Sequence, residues 1–206
     1  MLPQPCLMLV TEPHPNLREV VVQAIAGGVN VVQLRDKAAD CFQLVQAAWH
    51  LEEVVQPPAL LVINGANTYT MRKTGCGTQL SIAALRAMSF EHKYLPCGVS
   101  VHTVAEAREA EQLGADYLIA GTIFASQSHP DIAPQGLGFL RDVCASVTIP
   151  TLAIGGITPV RVAGCVKAGA AGVAVLSPLM RADAPELIAR EYWRALQEAW
   201  KAKQCA

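Results

Sequence analysis

Aromatic residues are scarce in this 206-residue chain, at 5%, and charged ones make up only 16%, against 52% hydrophobic. A core so short of rings is filled by small and β-branched side chains, which suits closely packed parallel strands under helices. The formal net charge is −1 and no block of Lys or Arg stands out, so the footprint of a nucleic-acid binder is missing. No apolar run approaches the length of a membrane span. The seven cysteines, Cys6, Cys41, Cys76, Cys97, Cys144, Cys165 and Cys205, are odd in number and form no C-x-x-C pair. They read as reduced thiols of a cytoplasmic protein rather than a disulfide frame or a zinc site. Met1 to Val10 has no basic segment ahead of its apolar run, and reads as a first strand rather than a signal peptide. A partner is expected among small molecules, not nucleic acids or membranes.

One pattern recurs. A helical stretch ends in a small residue and Gly, and an apolar strand follows, as in Ala26-Gly27-Gly28-Val29, Leu113-Gly114-Ala115-Asp116 and Ala168-Gly169-Ala170-Ala171. Glycine past a helix end takes the left-handed conformation that closes it. Eight candidate strands lie near Cys6–Val10, Val29–Leu34, Ala59–Ile63, Gly77–Leu80, Cys97–Val101, Tyr117–Ala120, Thr151–Ile154 and Gly172–Val175. The clearest helices are Glu19–Ala26, Phe42–Val55, Ala105–Leu113 with Thr103 as its cap, and Pro185–Ala202 with Asp183 as its cap. Strands alternating with helices predict one parallel sheet. Eight units predict a single (β/α)8 TIM barrel over residues 1–206, of class α/β. The competing open, doubly wound sheet lacks a G-x-G-x-x-G after its first strand.

In such a barrel the chemistry sits at the carboxyl ends of the strands. The second strand ends in Gln33-Leu34-Arg35-Asp36-Lys37, the third in Asn64-Gly65, and the fourth carries Gln79. The fifth carries Ser100 and His102, and the eighth leads to Ser177. Arg35 and Lys37, two apart on an extended segment, share a face and suit a carboxylate or phosphate; the alternative is salt bridges to Asp36 or Asp40. Gly155-Gly156 before Thr158-Pro159 lets backbone N–H groups approach an anion at a helix start. With the backbone around Ser177 it forms a phosphate cradle, the alternative being a plain tight turn. His102 is either an acid/base near neutrality or a ring fixed by hydrogen bonds that shapes the pocket. No metal-ligand spacing links the histidines.

Val32-Gln33-Leu34-Arg35-Asp36-Lys37, Gly98-Val99-Ser100-Val101-His102-Thr103, Gly114-Ala115-Asp116-Tyr117, Ala153-Ile154-Gly155-Gly156-Ile157 and Ala168 to Val175 stand in one order over about Leu7 to Pro178. They resemble the thiamine phosphate synthase and TenI superfamily. The synthases join a pyrimidine diphosphate to a thiazole phosphate, expelling pyrophosphate with Mg²⁺. They carry Asn-Asp after the third strand and a second Asp just before the fourth. This chain has Asn64-Gly65 and Thr74-Gly75-Cys76-Gly77, so neither carboxylate is expected and the metal site is expected to be absent. Asn-Gly is similar to the TenI-like thiazole tautomerases, isomerases that move a proton on a thiazole carboxylate phosphate without metal. Their His after the sixth strand is Thr122 here. Phe124-Ala125-Ser126-Gln127-Ser128-His129 resembles the diphosphate loop of the synthases.

The resemblance implies a TenI-like tautomerase with His102 or His129 moving the proton. Gln33, Arg35, Lys37, Asn64, Gln79, Ser100, Thr122, Ser126, Ser128 and Gly136 then bind the substrate, and Gly155, Gly156 and Ser177 its phosphate. The ligand is a phosphorylated thiazole, no cofactor is expected (Mg²⁺ enters only with synthase activity), and the protein is a homodimer. A divergent synthase and a non-catalytic barrel that binds a phosphorylated ligand are the alternatives.

Overall fold

A computed structural model describes residues 2–88, 95–126 and 132–205. Eight strands follow in order: β1 (Cys6–Val10), β2 (Val31–Leu34), β3 (Leu60–Asn64), β4 (Gly77–Ser81), β5 (Cys97–Val101), β6 (Tyr117–Ala120), β7 (Thr151–Ile154) and β8 (Gly172–Val175). Each pairs parallel with the next, and β1 pairs with β8, so the sheet closes on itself. Between them run α1 (Leu17–Ala26), α2 (Cys41–Glu52), α3 (Thr68–Thr74), α4 (Ile82–Ala87), α5 (Val104–Gln112), α6 (Gly136–Ser146) and α7 (Pro159–Lys167). After β8 come α8 (Ser177–Met180) and the long α9 (Pro185–Gln204). This is the expected single-domain (β/α)8 barrel. Among the described residues no helix is long and apolar enough to cross a membrane.

Alternation along the strands divides the core in two. Cys6, Met8, Val10, Val31, Val62, Tyr117, Ile119, Leu152 and Ala174 pack inside the barrel. Leu7, Leu9, Val32, Leu34, Ile63, Leu80, Val99, Val101, Leu118, Val173 and Val175 pack outward under the helices. Because both faces are covered, the strands read as unbroken apolar runs, and this is why the sequence locates them. Inside, the same alternation directs Gln33, Asn64, Gln79 and Ser100 to the barrel mouth, and His102 follows directly after β5.

Local chemistry sets the boundaries. Thr103 caps α5, its hydroxyl accepting from the Glu106 N–H at 3.1 Å. Asp40 and Gln43 form a reciprocal capping box on α2. Strand β2 begins at Val31 rather than Val29, and Asn30 just ahead of it ties its side-chain amide to the first strand, accepting from Leu7 N–H and donating to the Pro5 carbonyl at 2.9 Å each. The expected Asp183 cap is not found. Ala184 holds the cap position of α9 without a side-chain bond, and Pro185 opens the helix with the fixed φ that suits its first turn.

Candidate active site

The polar residues of β2 to β5 form a belt across the barrel mouth. Gln33 Nε2 donates to Asn64 Oδ1 at 3.2 Å. Asn64 sits in register with Gln79, and Gln79 Nε2 donates to Ser100 Oγ at 3.0 Å. The Oε1 atoms of Gln33 and Gln79 are buried and accept nothing, which costs stability unless a ligand supplies a donor. His102 Nδ1 lies 2.7 Å from the Gly121 carbonyl. A carbonyl only accepts, so Nδ1 carries the proton, and in the neutral ring Nε2 is left as an acceptor. Thr11, just beyond β1, takes the Arg35 N–H on its hydroxyl at 2.9 Å and so fixes the start of the loop after β2.

The other side of the mouth is made of main chain. Ile123 and Phe124 N–H donate to the carbonyls of Ile154 and Gly155 at 2.9 and 3.0 Å, joining the loops after β6 and β7. Gln135 N–H bonds Thr122 O, and Gly136 N–H bonds Ile123 O, both at 2.9 Å. Gly156 has φ +59°, and a Cβ there would lie 2.2 Å from the Ala125 carbonyl oxygen, so no other residue fits without displacing that loop. Thr122 packs its methyl against Gly155. The N–H groups of Gly155 and Gly156 donate to no group among the described residues, and helix α7 starts three residues beyond Gly156 at Pro159. Two side chains tie this loop, one from far along the sequence and one from the helix that follows it. Tyr192 of α9, itself buried, donates its hydroxyl to Ile157 O at 2.8 Å. Arg161 donates to Gly156 O at 2.6 Å and lies 4.6 Å over the Phe124 ring.

Most of the expected site residues therefore border one mouth: Gln33, Asn64, Gln79, Ser100 and His102 on one side, Thr122, Gly136, Gly155 and Gly156 on the other, with Ser177 opening α8 beyond β8. Ser128 and His129 lie outside the described residues. The shared face of Arg35 and Lys37 needs correction: β2 ends at Leu34, and Lys37 is in a bend, where strand alternation no longer applies. The expected alternative of salt bridges does not hold either. Among the described residues neither cation has an ion pair. Asp36 instead accepts from Ala38 N–H, and Asp40 caps α2. Arg35 also lines a cavity of about 240 Å³ with Thr11, Glu12 and Gln43.

A divalent cation at the ends of β3 and β4 does not fit the residues present. Mg²⁺ takes oxygen ligands, usually with one or two carboxylates. Asn64 ends β3 and Gly65 follows it, Asn67 caps α3, and Ser81 caps α4; none is acidic. The segment just before β4 lies at the amino end of the barrel, away from the mouth. Cys76 there donates its thiol to Glu52 at 3.2 Å, and burial, with that bond, pushes its pKa up to about 12. The described residues contain no group of three or more His, Cys, Asp or Glu able to hold a metal. Residues absent from the sequence-based site are Thr11, Gln135, Arg161 and Tyr192. Gln135 Nε2 shares the Gly121 carbonyl with His102, at 3.2 Å. Only Thr11, directly behind an apolar strand, had a local signal.

Closed parallel barrel and polar mouth together place the chain in the class of (β/α)8 barrels whose working end is the carboxyl end of the strands. Within that class it belongs to the family described as thiamine monophosphate synthase, whose model matches residues 7–179. It is 37% identical over 180 residues to the thiamine-phosphate synthase of Chloroflexus aurantiacus, covering 84% of this chain and 82% of that one. It is 33% identical to that of Chlorobium limicola over 204 residues, 96% and 97% of the two chains. The thiamine phosphate pyrophosphorylase structure from Pyrococcus furiosus superposes with TM-score 0.82 at 28% identity, over 95% of this chain and 98% of that one. These relatives overturn the expectation of a TenI-like tautomerase. That reading leaned on two missing carboxylates, at Asn64-Gly65 and just before β4, whereas similarity to the synthases runs along nearly the whole chain.

Proposed function

We propose that this chain is a thiamine-phosphate synthase, joining a pyrimidine diphosphate to a thiazole phosphate and releasing pyrophosphate. The observation that carries this reading is 37% identity with a named synthase over 84% of the chain. The mouth supports it. The N–H groups of Gly155 and Gly156, free among the described residues, with Ser177 beyond the neighbouring strand β8, suit the thiazole phosphate at the start of α7. The unpaired Oε1 atoms of Gln33 and Gln79, together with Asn64 and Ser100, suit a ring that offers N–H donors. Arg35 and Lys37, in the loop after β2, are the cations proposed for the departing diphosphate, whose negative charge grows as its bond breaks. Thr122, Ser126 and Gly136 border the thiazole side. His102 is held on Gly121 as the Nδ1–H form, which keeps its position between the two halves rather than assigning it a proton transfer.

The test is direct. The purified chain is incubated with both substrates, with Mg²⁺ and separately with EDTA, and products are separated by chromatography. Thiamine phosphate and pyrophosphate in equal amounts are expected. No product under either condition sinks the assignment.

A further inference from the structure

Two buried polar atoms lie together inside the barrel, and neither has a hydrogen-bond partner among the described residues: Tyr117 Oη and Gln79 Oε1. Gln79 on β4, Gly98 on β5 and Tyr117 on β6 stand in register across three adjacent strands. A Cβ at Gly98 would lie 2.1 Å from Tyr117 Cζ and 2.2 Å from Gln79 Oε1. The phenol therefore reaches over the glycine and brings its hydroxyl end against the Gln79 amide. We infer that Tyr117 is a positioning residue of the mouth: its hydroxyl donates to Gln79 Oε1 and fixes the sense of the Gln79–Ser100 pair, so that Ser100 is left as a donor to the ligand.

Both side chains are out of water, Tyr117 at 0% and Gln79 at 1% exposed. A buried hydroxyl without a partner is a cost that a Phe ring of the same shape would not carry. Burial pushes the phenol pKa well above its ordinary value, so the group enters as a donor. The neighbouring carboxylate, Asp116, is already taken by Cys97 N–H at 2.8 Å. The last torsion of a Gln side chain is soft, and a small turn of the amide closes the bond to Oε1. Gln79 Nε2 then keeps its direction to Ser100 Oγ, at 3.0 Å. In the reversed sense Tyr117 could only accept from Nε2, and its own proton would be stranded in the core. Ser100, half-buried at the end of β5, accepts from Gln79 and keeps its O–H for the mouth. An amide oxygen accepts twice, so Gln79 retains one site for a ring N–H. That the ring is a pyrimidine rests on the synthase reading; the link between Tyr117 and Gln79 does not.

The test uses the full chain as Tyr117→Phe, Gln79→Met and the double variant. In ligand-free protein the side-chain amide NMR signals of Gln79, identified by their loss in Gln79→Met, are expected to shift in Tyr117→Phe. The urea midpoint is expected to fall in Tyr117→Phe, and not to fall further when the same change is made in Gln79→Met. With both substrates and Mg²⁺, Tyr117→Phe is expected to raise KM for the pyrimidine diphosphate about tenfold and to leave KM for the thiazole phosphate unchanged. A ring that merely fills space would move stability without splitting the two KM values. The inference is overturned if the Gln79 signals stay in place, if both KM values hold or rise alike, or if the midpoint rises, as removal of an unbonded hydroxyl would make it. An equal fall with and without Gln79 also overturns it. Should Tyr117→Phe not fold, the Tyr117 hydroxyl proton decides. A resonance protected from exchange and lost in Gln79→Met supports the link; its absence from the parent or persistence in Gln79→Met overturns it. Without turnover, the amide signals and midpoints still stand, so the synthase reading fails alone; turnover with unmoved Gln79 signals does the reverse.

Discussion

The two sides of the barrel mouth are made of different material. From β6 to β8 the groups presented are main-chain N–H and C=O, held by bonds between loops, by the distant anchor Tyr192 and by Arg161 of the adjoining helix α7. From β2 to β5 they are side chains, Gln33, Asn64, Gln79 and Ser100, whose partners are each other. A site made of backbone depends on shape, and few residues other than the glycines are irreplaceable there. A site made of side chains changes chemistry with each substitution while the barrel stays as it was. Divergence is therefore expected on the β2–β5 side, which is where this chain lacks the carboxylates of the synthase pattern.

The contrast is broken most severely at Gly156. Gly156→Ala combines a positive φ with a contact of 2.2 Å to Ala125 O. It is expected to cost about 2–4 kcal/mol in urea unfolding and to abolish thiazole phosphate binding in calorimetry. Unchanged binding would mean that the backbone side is not the phosphate side. Tyr192→Phe leaves a buried carbonyl at Ile157 without its donor, about 1–3 kcal/mol by the same unfolding measurement. Thiazole phosphate binding is expected to fall with it, while pyrophosphate binding holds; equal loss of both would erase the distinction between the sides. The smallest effect belongs to Gly65→Asp. Open space surrounds that position, and Asp tolerates its φ of +70°, so about 1 kcal/mol or less is expected. A loss of several kcal/mol would show that the glycine is there for packing and not as a surplus position of the mouth.

All eight strands were legible because a parallel strand covered on both faces must be apolar throughout. The Gly past α1, α5 and α7 was legible for a backbone reason, and Gly28, Gly114 and Gly169 do have positive φ. The amide belt was legible as a set of polar residues at one end of successive strands. What could not be read locally was pairing across the sequence. Tyr192 meets Ile157 over 35 residues, and Gln135 shares Gly121 with His102. The misplaced Asp183 cap and the supposed shared face of Arg35 and Lys37 have a common cause: both extend a rule of regular structure past the residue where that structure stops. The tautomerase expectation failed differently. It weighed a few side chains on the variable side of the mouth above the order of motifs along the whole chain.

Tyr192 has one more consequence, for the order in which the molecule is made. The loop it fastens is complete in sequence by Thr158, but the fastening group stands 35 residues beyond the Ile157 carbonyl it holds, on α9. Strand β8 must also emerge before β1 has its second neighbour. On the ribosome, the ring therefore cannot close until β8 has emerged, nor can this loop be secured until α9 has, so a nascent chain arrested before α9 is expected to be cut by a protease at the Gly155–Thr158 turn.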